Sequence, residues 1–305
     1  MHPIQMQERP VIRRTGGKVR IASWIAERVA LLQGWTIWCE PFCGSAAVYF
    51  RLLQLGAFDR IRARGDYPRV VLNDQCAKIT NLYRVMREQP EALAYAIDHT
   101  PYSREEFNAA NIELPDDSPL ERARKYLILN WQGFAGTCDG KSWGFGKGKD
   151  VSTDPIKTWL GIAGRIRLAI EPFQDCYIEH QDFEPVMKRW DSPHTLFYLD
   201  PPYWDTEGYY DHPFGREDHL RLAKLAHEVE GQVILSYYPH AEIEALYSPD
   251  EWDFLYKDTM LCTGKVKANE GDKRGRRTEL LLIRKNRREY NIPTSDCYQL
   301  SLFDM

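Results

Sequence analysis

The sequence predicts an α/β fold built on a parallel sheet with helices on both faces, and three observations point to it. Short apolar runs recur at Thr36–Cys39, Val70–Leu72, Tyr177–Ile178, Thr195–Leu199 and Val233–Leu235, with Leu280–Ile283 following later. They are continuous rather than alternating, which is how strands read when both faces of the sheet are covered. Helical stretches such as Ile21–Leu32, Ser45–Leu55 and Asp218–Val229 lie between or before them. Polar residues follow the first five runs, namely Glu40, Asn73-Asp74, Asp182, Asp200 and Ser236. Ligands of parallel sheets bind at the carboxyl ends of strands, so these residues are expected around one crevice.

A chain of 305 residues with 43% hydrophobic and 28% charged residues buries a sizeable core. No run approaches the roughly 18 apolar residues of a membrane span, and Met1–Pro10 lacks the apolar stretch of a signal peptide, so a cytoplasmic protein is expected. The 7 cysteines form no Cys-x-x-Cys pair and stand beside no histidine ladder, which argues against a zinc site and a disulfide framework. The net charge of −4 is unusual for a nucleic-acid binder, but basic residues concentrate locally. Lys273, Arg274, Arg276, Arg277, Arg284, Lys285, Arg287 and Arg288 form one cluster; Arg13, Arg14, Lys18 and Arg20 form another. Either patch suits phosphate contacts, and either reads equally as a solvated basic face.

From the N-terminus, Gly16-Gly17-Lys18 precedes the first helix; its glycines permit close approach to a ligand, and Lys18 suits neutralising a ligand carboxylate. The spacing is not that of a phosphate loop. Glu40-Pro41-Phe42-Cys43-Gly44-Ser45-Ala46 sits at a strand-to-helix junction, where Gly44 allows a sharp turn and the next helix offers free N–H groups to an anion. Asp74 ends the following run, where nucleotide-binding sheets place an acid against ribose hydroxyls; a helix N-cap is the competing reading. Between Tyr83 and Pro172 the alternation gives way to helices, an acidic turn at Glu113–Pro119 and the aromatic, Gly-rich segment Gln132–Gly148. That segment reads as an insertion whose glycines suit a mobile loop or hairpin, or simply a surface loop.

Asp200-Pro201-Pro202-Tyr203 carries the most specific chemistry. An exocyclic base amine is a weak nucleophile because its lone pair is delocalised, and two acceptors drawing its hydrogens out of plane restore its reactivity. Asp200 and the Pro201 carbonyl supply such acceptors, two prolines stiffen their loop, and Tyr203 suits stacking on the base. A rigid Asp-Pro turn without function is the bland alternative.

Taken together and in this order, the strings resemble the Dam-like group of D12-class DNA adenine-N6 methyltransferases over about residues 11 to 285. Thr15-Gly16-Gly17-Lys18 looks like the family's N-terminal Gly-Gly-Lys element, Glu40–Val48 like its Glu-Pro-Phe-x-Gly motif, and Asn73-Asp74 like its ribose-binding acid. His180–Phe183 looks like its strand-end Asp-Phe, and Asp200–Tyr203 like its catalytic motif. Leu129–Phe134 followed by Gly136 is similar to the Asn-rich, Gly-rich piece of its recognition region. The resemblance implies a Rossmann-like methyltransferase sheet interrupted by a mostly helical target-recognition insertion. It divides the chain into a first catalytic part at 11–82, the insertion at 83–172, a second catalytic part at 173–285 and a tail at 286–305.

The implied cofactor is S-adenosylmethionine, held by Arg14, Thr15, Gly16, Gly17, Lys18, Glu40, Pro41, Phe42, Gly44, Ser45, Ala46, Asn73, Asp74, Asp182, Phe183 and Asp200. The implied substrate is an adenine flipped from double-stranded DNA, with Asn130, Gln132, Lys141, Lys147, Lys273, Arg274, Arg276 and Arg277 as DNA contacts. No metal is implied. Two positions depart from the pattern: Arg14 stands where relatives usually carry an aromatic residue, and Ser45 where many carry a second glycine. Cytosine-N4 methylation, which more often has Ser in place of Asp200, and a non-catalytic DNA binder of the same fold are the rival readings. Gln299-Leu300-Ser301-Leu302-Phe303 resembles the pentapeptide with which bacterial proteins dock on the replication sliding clamp. Leu302 and Phe303 would be its anchors with Gln299 as the polar handle and Leu300 between them, which implies a bacterial or phage-infected cell.

Overall fold

The computed structural model describes residues 10–13, 17–134, 140, 142–145, 154–204, 214–260 and 276–285. A 3-10 turn at Lys18–Arg20 precedes α1 (Ala22–Val29), β1 (Ile37–Glu40), α2 (Ala47–Gln54), α3 (Ala57–Ala63) and β2 (Arg69–Asn73). Between β2 and β3 come α4 (Ala77–Glu88), α5 (Pro90–Asp98), α6 (Arg104–Ala110), α7 (Pro119–Gln132), α8 (Pro155–Leu160), α9 (Ile162–Leu168) and α10 (Ile170–Gln174). The chain continues through β3 (Cys176–Glu179), α11 (Phe183–Trp190), β4 (Thr195–Leu199), α12 (Arg216–Glu228), β5 (Gln232–Tyr237), α13 (Ala241–Glu244), β6 (Trp252–Met260) and β7 (Arg276–Arg284). None of the described helices is long and apolar enough to cross a membrane.

The sheet has seven strands in the order β3-β2-β1-β4-β5-β7-β6. β1 to β5 are parallel, and β7 runs antiparallel between β5 and β6. Successive strand residues enter different cores, as the two-residue side-chain period demands. Trp38, Leu196 and Tyr198 pack on one face with α1, α2 and the α4–α10 helices; Cys39, Phe197 and Leu199 pack on the other with α11 and α12. The continuous apolar runs of the sequence are therefore strands buried twice over, and the expected α/β class is what the chain adopts. β6 lies outside that sequence expectation because Trp252–Thr259 mixes apolar with charged residues, as an edge strand exposed on one side does.

The α4–α10 layer packs through α4 on α7, α5 on α9 and α6 on α7. Its helix starts are dictated locally: Ser103 and Ser118 accept the backbone N–H of Glu106 and Glu121, each at 3.1 Å, and Pro119 occupies the first turn, where its missing N–H costs nothing. Its buried residues are continuous with one face of the sheet, and α4 runs through the boundary expected at residue 83. The switch point, where the strand order reverses, falls between β1 and β4; their register (Cys39 opposite Phe197) brings the Glu40 and Asp200 ends to one rim.

Candidate active site

At the end of β1 the backbone turns through Gly44 at φ 49° and Ala46 at φ 52°, both left-handed, before α2 begins. Left-handed backbone is natural for glycine, whereas Ala46 carries it at a steric cost that the surroundings must offset. The turn is held from outside. Asp74 accepts the Gly44 N–H at 2.9 Å on one oxygen and the Cys76 N–H at 2.9 Å on the other, and the Tyr83 hydroxyl donates to the Gly44 carbonyl at 2.6 Å. Asn73, 1% exposed, laces three strand ends: its amide donates to the carbonyls of Pro41 and Gln181, and its oxygen accepts the Gln181 N–H. Asp74 thus caps backbone N–H groups at the end of β2, as the helix N-cap reading expects.

Glu40 departs from the expectation of a free helix terminus. It is buried, and its Oε1 accepts the Trp38 indole N–H at 2.8 Å and the Tyr49 N–H at 3.0 Å, so the first turn of α2 is already served by a protein carboxyl. Burial pushes this carboxyl up to about 8, with the Asp200 charge adding and the two N–H donors opposing. Ser45 and Ala46 are buried in the same turn.

At the end of β4 the structure brings Lys18 onto Asp200, with Nζ 2.7 Å from Oδ1 and side-chain exposures of 5% and 20%. The same ammonium lies 4.5 Å from the centre of the Tyr203 ring. Lys18 therefore meets the carboxylate of Asp200, a partner that the sequence reading did not foresee. The physical reason is that a nearly buried ammonium needs a counter-charge, and Asp200 supplies it within hydrogen-bond distance. Tyr203, 4% exposed, donates its hydroxyl to Glu279 Oε2 at 3.1 Å, lies 3.3 Å from Ser236 Oγ and packs edge-on against Tyr238 at 4.3 Å. Burial and the Asp200 and Glu279 charges push the Tyr203 phenol well up, so it stays a donor. Burial, reinforced by Asp200 and opposed by Lys18, also raises the Glu279 carboxyl. Pro201 is buried and Pro202 half-buried beside them.

A third group lies at the end of β3. Asp182 caps α11 by accepting the Glu184 N–H, and Arg221 from α12 grips it at 2.9 Å while lying over the Phe183 ring. Phe42, Phe183 and Phe214 make mutual ring contacts at 5.4 to 5.8 Å. Arg221 and Phe214 carry no motif signal in the sequence, and neither do Arg13 and Glu279. A charged residue heading the apolar run Leu280–Ile283 is the one available hint at Glu279.

The expected DNA contacts divide. Asn130 and Gln132 are 0% exposed and serve the backbone. Asn130 pairs with both the N–H and the carbonyl of Arg13, whose guanidinium caps the end of α7 through the Asn130 and Trp131 carbonyls. Gln132 donates to the Pro101 carbonyl and accepts the Ser103 N–H. Both amides are thereby structural, because a fully buried carboxamide keeps its place only by satisfying its polar atoms. Gly133 follows because a Cβ there would stand 2.4 Å from the Leu129 carbonyl oxygen. Beyond it, Phe134 (65% exposed) and Phe145 (55%) flank a bridge between Gly133 and Trp143. Arg277 is exposed, its guanidinium 4.6 Å from the Tyr238 ring. Arg14, Thr15, Gly16, Lys141, Lys147, Lys273, Arg274, the side chain of Arg276 and the pentapeptide Gln299–Phe303 lie outside the described residues.

The carboxyl-end rim thus joins a left-handed turn at β1, a carboxylate and proline corner at β4 and an aromatic cluster at β3, one arrangement that can hold a cationic, ring-bearing ligand beside a base. A family model described as D12 class N6 adenine-specific DNA methyltransferase matches residues 15–260. A comparison with curated proteins finds no match.

Proposed function

Since the chain belongs to the D12 class of N6 adenine-specific DNA methyltransferases and methylates adenine N6 in DNA, we propose that it does so with S-adenosylmethionine on an adenine extruded from the duplex into the rim between β1 and β4. The observation that carries this reading is the Lys18–Asp200 pair at 2.7 Å, which fixes a proline-braced carboxylate at the switch point while leaving it 20% exposed.

The cofactor assignment rests on the chemistry of the residues present. Asp200, Asp74 and Asp182 put carboxylates around a crevice suited to a sulfonium and an ammonium, and the Phe42, Phe183 and Phe214 rings suit an adenine. Gly17, Pro41, Gly44, Ser45 and Ala46 line the backbone turn side of that crevice in this reading, and Arg14, Thr15 and Gly16 are proposed to contact the cofactor with them. Each oxygen of Asp74 accepts one N–H, and a carboxylate has about four acceptor sites, so it retains capacity for ribose hydroxyls. S-adenosylmethionine supplies an activated methyl group when bound.

The chain's own residues then prepare the amine. The Asp200 carboxylate and the Pro201 carbonyl accept the two N6 hydrogens, which localises the lone pair on nitrogen. Lys18 holds Asp200 in one rotamer through their 2.7 Å contact. Pro202 fixes the corner, and Tyr203 borders the base, offsetting part of the few kcal/mol that extrusion costs. Lys141, Lys147, Lys273, Arg274, Arg276 and Arg277 supply phosphate contacts. The helical layer centred on residues 83–172 presents Phe134 and Phe145 to the duplex as the target-recognition part. The tail at 286–305 docks on a replication sliding clamp through Gln299, Leu300, Leu302 and Phe303, which sets the protein in a bacterial or phage-infected cytoplasm.

Incubation with labelled S-adenosylmethionine and mixed-sequence DNA tests the reading: label is expected in N6-methyladenine, and Asp200→Ala is expected to abolish it while cofactor binding persists. Near-normal turnover of that variant would remove Asp200 from the mechanism. Loss of residues 297–305 should end co-elution with the clamp and spare activity on short duplexes; continued co-elution refutes the docking.

A further inference from the structure

We infer that Glu279, on the antiparallel strand β7, is a positioning residue for adenine methylation that sets the ring of Tyr203 before the base arrives. This rests on Tyr203 bordering the extruded base, as proposed above. The register places Leu280 opposite Tyr237, so Glu279 stands beside the carboxyl end of β5, on the same rim as Asp200. A carboxylate 8% exposed at the head of an apolar strand is costly unless it is engaged. Its engagement is specific: Oε2 accepts the Tyr203 hydroxyl at 3.1 Å, with Ser236 Oγ 3.3 Å from the same hydroxyl.

The phenol is therefore pinned at its far end, while Lys18 covers one ring face and Tyr238 meets the ring edge-on at 4.3 Å. Two carboxylates, Asp200 and Glu279, share the neighbourhood of one ammonium, Lys18, and Arg277 on the same strand adds a second cation. Tyr203 follows Asp200 by three residues, so fixing the far end of its ring also restrains the loop that presents the Asp200 and Pro201 acceptors. A second-layer hydrogen bond that removes a rotational freedom from such a loop acts on the rate of transfer rather than on cofactor affinity.

Four forms decide the matter: wild type, Tyr203→Phe, Glu279→Gln and the double variant, each measured for single-turnover methyl transfer at saturating DNA and for S-adenosylmethionine affinity. Tyr203→Phe is expected to slow transfer about tenfold, the worth of one buried hydrogen bond. Glu279→Gln keeps a neutral acceptor and should slow it about threefold. The double variant should match Tyr203→Phe, because without the hydroxyl Glu279 no longer holds the ring. Cofactor affinity should stay within about twofold throughout.

Multiplying effects in the double variant, or a wild-type rate for Tyr203→Phe, would overturn the inference and leave the adenine reading intact. A wild type that labels no adenine would instead sink the underlying reading. Glu279→Ala should fall about tenfold if it folds; if it does not, the four forms above still decide.

Discussion

Replacing Glu40 with glutamine tests the buried carboxyl beneath the β1 turn. Glu40 is 1% exposed, and both of its hydrogen-bond donors, the Trp38 indole and the Tyr49 N–H, converge on Oε1. Burial is the main cause that raises its pKa from 4.5 to about 8. Between those values the folded protein keeps a proton that the unfolded chain has released. The stability this confers is fully present below the unfolded value and is lost as the pH rises through the folded one. The slope within the window is about 1.4 kcal/mol per pH unit, and the whole window amounts to an upper limit of about 5 kcal/mol. Glutamine is the permanently neutral counterpart, whose amide oxygen can accept both N–H groups. Urea unfolding of both proteins at about pH 5, 6, 7 and 8 should give a stability difference, variant minus wild type, that climbs by about 1.2 to 1.3 kcal/mol over each of the first two steps and by about 1 kcal/mol over the last, where the folded carboxyl itself begins to ionise. Subtraction removes the titration of every other group. A difference that stays flat across the series would show that Glu40 is ionised in the folded state and refute the reasoning.

Lys18→Met keeps the aliphatic stem and removes the partner of Asp200; a loss of a few kcal/mol from a nearly buried pair corresponds to a transfer rate down about 100-fold, with cofactor affinity changed less than tenfold. The opposite split, weak cofactor binding at an unchanged rate, would assign Lys18 to the cofactor carboxylate after all. Asn130→Ala leaves the N–H and carbonyl of Arg13 without their side-chain partner and should destabilise the fold by about 2 to 4 kcal/mol in thermal unfolding, with DNA affinity per folded molecule unchanged. Unchanged stability with lost DNA binding would make Asn130 a DNA contact.

Much of this architecture was legible along the chain because its strands announce themselves as uninterrupted apolar runs. Doubly covered strands such as Thr195–Leu199 leave no polar alternation to confuse with a helix. The turn at Gly44 and the proline corner after Asp200 were likewise readable, since only a few residue types tolerate those backbones. β6 escaped notice because its edge position admits charged residues into a strand. The backbone partners of Asn130 and Gln132 were not legible for the converse reason: an amide beside a glycine-rich segment reads as a contact with a ligand, and nothing local tells whether a backbone from elsewhere will claim it. Here Arg13, 117 residues away, claims Asn130.

By itself, then, the order of residues determined the parallel strands of the sheet and the acids that end them, because these follow from local periodicity and from backbone geometry that neighbours in sequence impose, whereas the strand order and its switch point came with the fold. Only the tertiary structure decided which charges meet. Lys18 on Asp200 and Tyr203 on Glu279 are pairs separated by 182 and 76 residues, selected by the sheet order that sets β4 and β7 on either side of β5 and by the cost of leaving a buried charge or hydroxyl alone. No pattern along the chain encodes such a pairing, since what enforces it is the exclusion of water from a space that exists only once the sheet has assembled and its helices have packed on it.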